Sequence, residues 1–253
     1  MSNNNTTRFS NRVEDYVKYR PGYPPALLNY IQDHYHLNTR ETIADIGAGT
    51  GISSAPFLKA GYRVIAVEPN NEMREKLKEI LSYYPQLKPI NGTAESTTLP
   101  DHSVDLIVAG QAFHWFDPLK SRDEFERILK PGGRVAIIWN ERRTSTLFEK
   151  EYENLILKYA TDYQKIDHRN IEDRDIEKFF YPRACSLKIF DNYQTFDIEG
   201  LVGRLASSSY MPPRDGAAFS KVTADLEILF NKYSRDNFIQ INYDSKLYAG
   251  WFK

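Results

Sequence analysis

Residues 44–51 read ADIGAGTG, and their reading decides the fold. Apolar Ile43, Ala44 and Ile46 make the preceding TIADI a strand-length run, and the helical ISSAPFLKAG follows. Three glycines, Gly47, Gly49 and Gly51, fill the turn between them. Glycine takes φ > 0 without a Cβ penalty and lets a ligand approach the backbone closely. A second apolar strand, RVIAVEP, carries Glu68 at its end. An acid about 20 residues beyond such a loop is placed to accept both hydroxyls of a ribose. The stretch therefore predicts the first turn of an open α/β sheet, where ligands bind at the carboxyl ends of the strands.

The same logic repeats downstream. NEMREKLKEILSYY sets Met73, Leu77, Ile80 and Leu81 at helical spacing. KPINGTAES holds a short third strand and VDLIVAGQ a fourth, buried one. LKSRDEFERILK is a helix ended by PGG, and RVAIIWN is a fifth strand. Near-continuous apolar strands alternating with helices mean a parallel sheet covered on both faces. Residues 40–140 form this core. Ahead of it, residues 1–10 are Asn/Thr-rich and expected to be disordered. Residues 11–20 read as a short amphipathic helix stopped by Pro21, and residues 25–36 as a helix with proline in its first turn. Residues 141–182 are charged, Tyr-rich and helical, and read as an insertion or lid. In residues 183–253, CSLKIFDNYQTFDI is a strand, two helices follow, and the alternating NFIQINYDSKLYAGWFK is expected as a final antiparallel edge strand. The expected architecture is one α/β domain over 1–253. It has a Rossmann-like, seven-stranded, mostly parallel sheet with an antiparallel C-terminal strand, helices on both faces, an N-terminal lid segment over 1–36 and a helical insertion over 141–182.

Composition narrows the chemistry. The 253 residues hold 33 Lys+Arg against 34 Asp+Glu, so no cationic surplus announces nucleic acid or an anionic membrane as the main partner. Cys185 is the single cysteine, which excludes an internal disulfide and cysteine-based zinc sites. The polar MSNNNTTRFS has no signal-peptide core, and runs such as RVAIIW are strand-sized, short of the ~20 residues a membrane span needs. A soluble, cytoplasmic protein is expected. Of the five histidines, His34, His36, His102 and His168 read as surface or turn residues, and none belongs to a metal-ligand array.

Two nucleoside cofactors suit the loop. NAD requires G-x-G-x-x-G. Here the spacing is G-A-G-T-G, with the third glycine one residue early and Asp45 two residues before Gly47. That acid would face a diphosphate badly and suits a cationic or amino end. With ADIGAGTG, VIAVEPNNEM, GTAESTTLPDHSVDLIVAGQAFHWFD and LKPGG in this order, the chain resembles the class I S-adenosylmethionine-dependent methyltransferases, most of all the small-molecule subgroup related to trans-aconitate methyltransferase. YVKYRPGYP, LVGRLASSSYMP and YAGWFK resemble segments of that subgroup too. The resemblance implies S-adenosylmethionine as cofactor and places Gly47, Gly49 and Gly51 against its methionyl part, with Asp45 expected to bind its cationic or amino end, directly or through water. It puts Glu68 on the ribose and Pro69 and Asn70 beside the adenine, with Met73 either packed on it or, the favoured reading, serving the core. Thr93, Ala94 and Glu95 would border the adenine, Glu95 reading equally as a solvated loop acid, and Gln111 would lie beside the sulfonium.

The acceptor side is less determined. His114 follows the fourth strand and reads either as a general base or, the favoured reading, as a pocket wall together with Trp115. Asp117 reads as a helix cap. Tyr16, Tyr19 and Arg20 lead into PGYP, a segment that folds over the cofactor in relatives, and Arg204 and Tyr210 join them as candidate acceptor-pocket residues. An arginine in a closed pocket favours an acidic acceptor. No metal is expected. The reading is a methyltransferase acting on a small molecule, with a carboxylic acid as the one substrate hint. The alternatives are an NAD(P)-dependent oxidoreductase and a non-catalytic S-adenosylmethionine-binding protein. A nucleic-acid acceptor is disfavoured, because the stretch after the fourth strand is GQAFHW rather than Asn/Asp-Pro-Pro-aromatic.

Overall fold

The computed structural model describes residues 12–161, 163 and 171–252. The expectations for residues 1–10 and for His168 lie outside the described residues. Seven strands form one sheet: β1 Thr42–Ile46, β2 Arg63–Val67, β3 Leu87–Ile90, β4 Val104–Gly110, β5 Leu129–Arg142, β6 Ser186–Phe196 and β7 Ile239–Trp251. Their order is β3-β2-β1-β4-β5-β7-β6. Neighbours from β3 to β5 pair in parallel, and β7 runs antiparallel to both β5 and β6. The final strand is therefore not an edge strand, as its alternating pattern suggested. It threads between β5 and β6, and β6 takes the edge. The alternation arises in Ile239–Tyr243, where one face is buried and the other is not; from Leu247 to Gly250 both faces are buried.

The central strands are buried on both sides, with successive residues feeding opposite cores. Ala44, Ile107, Val135 and Ile137 point to one core, while Ile43, Leu106, Ala136 and Ile138 point to the other. Helices α2 (Pro25–His34), α3 (Ser54–Lys59) and α4 (Asn71–Ile80) cover the second face through Leu27, Ile31, Phe57, Leu58 and Leu77. Helices α5 (Pro118–Ile128) and α7 (Asp173–Phe180) cover the first through Phe125, Ile128, Ile176 and Phe179. Asp117 caps α5, accepting from the Leu119 and Lys120 N–H groups. This helix ends at Ile128, and the PGG segment lies inside β5 as an irregularity opposite Val104–Leu106.

A third apolar cluster stands beyond the carboxyl ends of the strands. It joins α6 (Leu147–Tyr159), α8 (Ile198–Ala206) and α9 (Ala217–Tyr233) to Ile239, Ile241 and Tyr243 of β7. Helix α1 (Val13–Tyr19) lays Tyr19 on this cluster. The expected insertion over 141–182 thus does not act as one unit. Its first helix, α6, belongs to the third cluster, and α7 packs on the sheet.

Candidate functional site

The glycine loop leaves β1 with Gly47 at φ 70°, Gly49 at 57° and Gly51 at 89°, all in the region that only glycine adopts freely. The loop is fastened to the end of β2. Gly47 and Ala48 donate to the Val67 carbonyl at 2.9 and 3.2 Å, and Gly49 N–H donates to Glu68 Oε2 at 2.8 Å. The other Glu68 oxygen accepts from Asn70 N–H at 2.8 Å, and Asn70 in turn caps α4 through Met73 N–H. Burial pushes the Glu68 carboxyl upward, and its two N–H donors oppose that shift. Each carboxylate oxygen offers two lone-pair directions, so one per oxygen remains for a ligand.

Over this frame lies a cleft of about 710 Å³. Gly47, Gly49, Glu68, Pro69, Asn70, Met73 and Ala94 line it from β1, β2 and the turn after β3. Gly110, Gln111, Ala112, Trp115 and Phe116 line it from the end of β4, and Tyr16 closes it from α1. A Cβ on Gly49 would meet nothing closer than the Tyr16 hydroxyl at 4.0 Å, so this glycine faces open cleft. A Cβ on Gly47 would collide with Ala112 Cβ at 2.7 Å. Gln111 sits at φ 55°, held by its N–H on the Ile138 carbonyl and by its Oε1 accepting from Asn140 N–H, each at 2.8 Å.

A second space of about 460 Å³ continues from the first past Tyr16, Gly47, Gly110 and Gln111. Its other walls include Arg20, Pro21, Tyr23, Ser53, Asn140 and Arg204. Burial and the facing Arg204 guanidinium push Arg20 below the ordinary arginine range. Arg20 donates to the Ser207 carbonyl at 2.9 Å and leaves its buried Nε without a hydrogen-bond partner. Burial likewise raises the Tyr16 and Tyr23 phenols.

Several residues expected in the site stand elsewhere. Gly51 does not line the cleft; its missing Cβ makes room for Leu81 Cδ1 and Leu77, at 2.5 and 3.2 Å from where that Cβ would be. Asp45 is buried behind the loop, where its Oδ2 accepts from Ser53 and Ser54 at 2.7 and 2.6 Å. Glu95 turns away from the cleft and accepts from Asp117 N–H at 2.9 Å. His114 stands behind Trp115, ring centroids 4.6 Å apart, and only Trp115 reaches the cleft. Tyr19 packs on Gly203, where an added Cβ would lie 2.0 Å from its ring. Tyr210 stands behind the second space, 3.5 Å from Arg142; against burial, Arg142, Arg204 and Arg20 hold its phenol below the usual range. Tyr23, Ser53, Asn140 and Phe116 join the walls without having been singled out. Tyr23 had a signal, its place in PGYP; the others reach the site only through the sheet's register.

Residues 44–137 match the family described as the methyltransferase domain. Over this stretch the chain is similar to methyltransferases. An uncharacterized methyltransferase of Mycobacterium tuberculosis is 37% identical over 134 residues, 53% of this chain and 52% of that protein. One from Schizosaccharomyces pombe is 34% identical over 151 residues, 59% of each chain. The matched region thus spans about half to three-fifths of these curated relatives. In solved structures, a chain from Anaeromyxobacter dehalogenans described provisionally as a type II methyltransferase matches with TM-score 0.67 at 20% identity, covering 92% of this chain and 98% of that one. Haemonchus contortus phosphoethanolamine N-methyltransferase 2, solved with S-adenosylmethionine, matches at 0.59 and 16% identity over 98% of this chain and 58% of its own. At these identities the likeness is one of fold. The matched stretch holds the glycine loop, Glu68 and the end of β4, and so most of the first cleft. Arg20 and Arg204 of the second space lie outside it.

Proposed function

We propose that this chain is an S-adenosylmethionine-dependent methyltransferase whose acceptor is a small organic acid. The observation that carries the acceptor reading is the charge of the second space. Arg20 and Arg204 both line it, and neither is ion-paired with any described residue. Two like charges facing each other away from water are unfavourable until an anion joins them. The resemblance to the trans-aconitate methyltransferase subgroup points the same way.

When bound, S-adenosylmethionine supplies a methyl group on a cationic sulfur, open to in-line displacement. Gly47 and Gly49 would admit the methionyl chain against the backbone. Glu68 would take the ribose hydroxyls on its remaining lone pairs, and Pro69, Met73 and Ala94 would enclose the adenine. Tyr16, Trp115 and Phe116 present aromatic surface, which attracts a cation and excludes water. Arg20 and Arg204 would hold the acceptor's carboxylate near the end of β4. A carboxylate is already ionised at neutral pH, so no general base is needed. That suits His114's place behind Trp115, where its part is to set the Trp115 ring.

A labelled-methyl assay against pooled small organic acids tests this reading, with Gly49→Arg as the cofactor-dead control. The expected result is label in an acid, abolished by Gly49→Arg and strongly reduced by Arg204→Gln. Label entering only neutral acceptors would overturn the acid reading, and Gly49→Arg retaining S-adenosylmethionine affinity would overturn the cofactor site.

A further inference from the structure

We infer that Tyr243 and Gln194 are positioning residues, which hold Arg204 and the end of α1 in one fixed register. The inference rests on the acid reading above. Arg204 Nε donates to the Tyr243 hydroxyl at 3.3 Å. Tyr243 is fully buried on β7, and its hydroxyl donates to Gln194 Oε1 at 2.9 Å. Gln194, on edge strand β6, donates through Nε2 to the Tyr19 carbonyl at 3.2 Å. The direction of this relay follows from chemistry. A guanidinium has donors only, so Tyr243 must accept from it, and its one proton is free for Gln194. That fixes the Gln194 amide with its oxygen toward Tyr243 and its NH2 toward the α1 terminus.

The far end of the relay is the residue before Arg20. Arg20 itself donates to the Ser207 carbonyl, one turn beyond Arg204 at the end of α8. The two facing cations are therefore referenced to each other twice, once through α8 and once through Tyr243, Gln194 and Tyr19. Neither Tyr243 nor Gln194 lines the second space. Their loss should loosen the grip on an acid and leave the cofactor cleft alone.

Gln194→Glu and Gln194→Met each break the relay. The carboxylate still accepts from Tyr243 but has nothing to donate to Tyr19, and the thioether does neither. Gln194 is partly exposed, so both variants should fold. With citrate as the carboxylate probe and S-adenosylhomocysteine present, calorimetry should show citrate affinity falling about fivefold in both, the scale of one neutral hydrogen bond. Affinity for S-adenosylhomocysteine should stay unchanged. Hydrogen exchange over residues 13–22 should quicken in both variants even without citrate. Unchanged exchange there would overturn the relay, as would equal losses of citrate and S-adenosylhomocysteine affinity. A wild-type protein that ignores citrate would instead count against the acid reading, and the exchange comparison alone would then decide the relay.

Discussion

Asp45 stands two residues before the turn, 1% exposed, with Oδ2 shared by two serine hydroxyls and Oδ1 without a hydrogen-bond partner. Burial raises its carboxyl from 3.8 to about 6, against the two hydroxyl donors. A raised acid binds its proton more tightly folded than unfolded. Its stabilising contribution is therefore complete below pH 3.8 and lost as pH rises through 6. The shift corresponds to about 3 kcal/mol by linkage. In Asp45→Asn, the amide oxygen can take both serine hydroxyls while Nδ2 replaces the partnerless oxygen. At pH 8 this variant should be more stable by about 1–2 kcal/mol, because an unpaired amide donor returns part of the gain. At pH 4 the gain should vanish, and denaturant melts at the two pH values measure it. The same neighbourhood shows what a sequence motif leaves open. All three glycines were legible as residues needing φ > 0, yet only Gly49 faces open cleft, while Gly47 yields space to Ala112 and Gly51 to Leu77 and Leu81. Spacing tells which positions require glycine. Whether ligand or neighbouring helix fills the space depends on packing that residues thirty positions away decide.

Helix α1 was legible as an amphipathic segment, but its length of seven residues is too short to be stable alone. It is held from outside. Arg12 donates to the carbonyls of Ala206, Ser208 and Met211, and Tyr19 lies flat on Gly203 of α8. Gly203→Ala probes that seam cleanly. Alanine is the better helix former by about 1 kcal/mol, so α8 itself should gain. The new Cβ would sit 2.0–2.4 Å from the Tyr19 ring, which must leave. Since α1 carries Tyr16 and precedes Arg20, S-adenosylmethionine affinity should fall by about tenfold, the scale of one lost aromatic contact of 0.5–1.5 kcal/mol. Hydrogen exchange over residues 13–19 should rise. An unchanged affinity would mean that α1 contributes nothing to the cleft. Strand β7 marks the opposite limit of sequence reading. Its type was read correctly and its place was not, because alternation reports how the two faces are covered and is blind to which strands lie on either side.

The molecule as a whole has two cores on the faces of the sheet and a third beyond the strand ends. Among the described residues, only β7 belongs to all three. Ile239, Ile241 and Tyr243 serve the third core, while Leu247, Tyr248 and Ala249 serve the two sheet faces. A strand paired on both sides cannot slide or tilt at one end without breaking its ladder at the other. The third core, which carries Arg204 over the site, should therefore melt together with the sheet. The tryptophans make this testable. Trp139 is buried in the sheet core, Trp115 packs against it, and Trp251 lies at the end of β7 against Tyr35, so none reports on the third core. Leu226→Ala removes a fully buried side chain from that core and should lower stability by about 2–5 kcal/mol. The tryptophan fluorescence midpoint in denaturant should fall with it and coincide with the far-ultraviolet circular dichroism midpoint. If fluorescence held its wild-type midpoint while dichroism split into two steps, the third core would be a separate unit. The two guanidiniums would then not be rigidly positioned over the cleft.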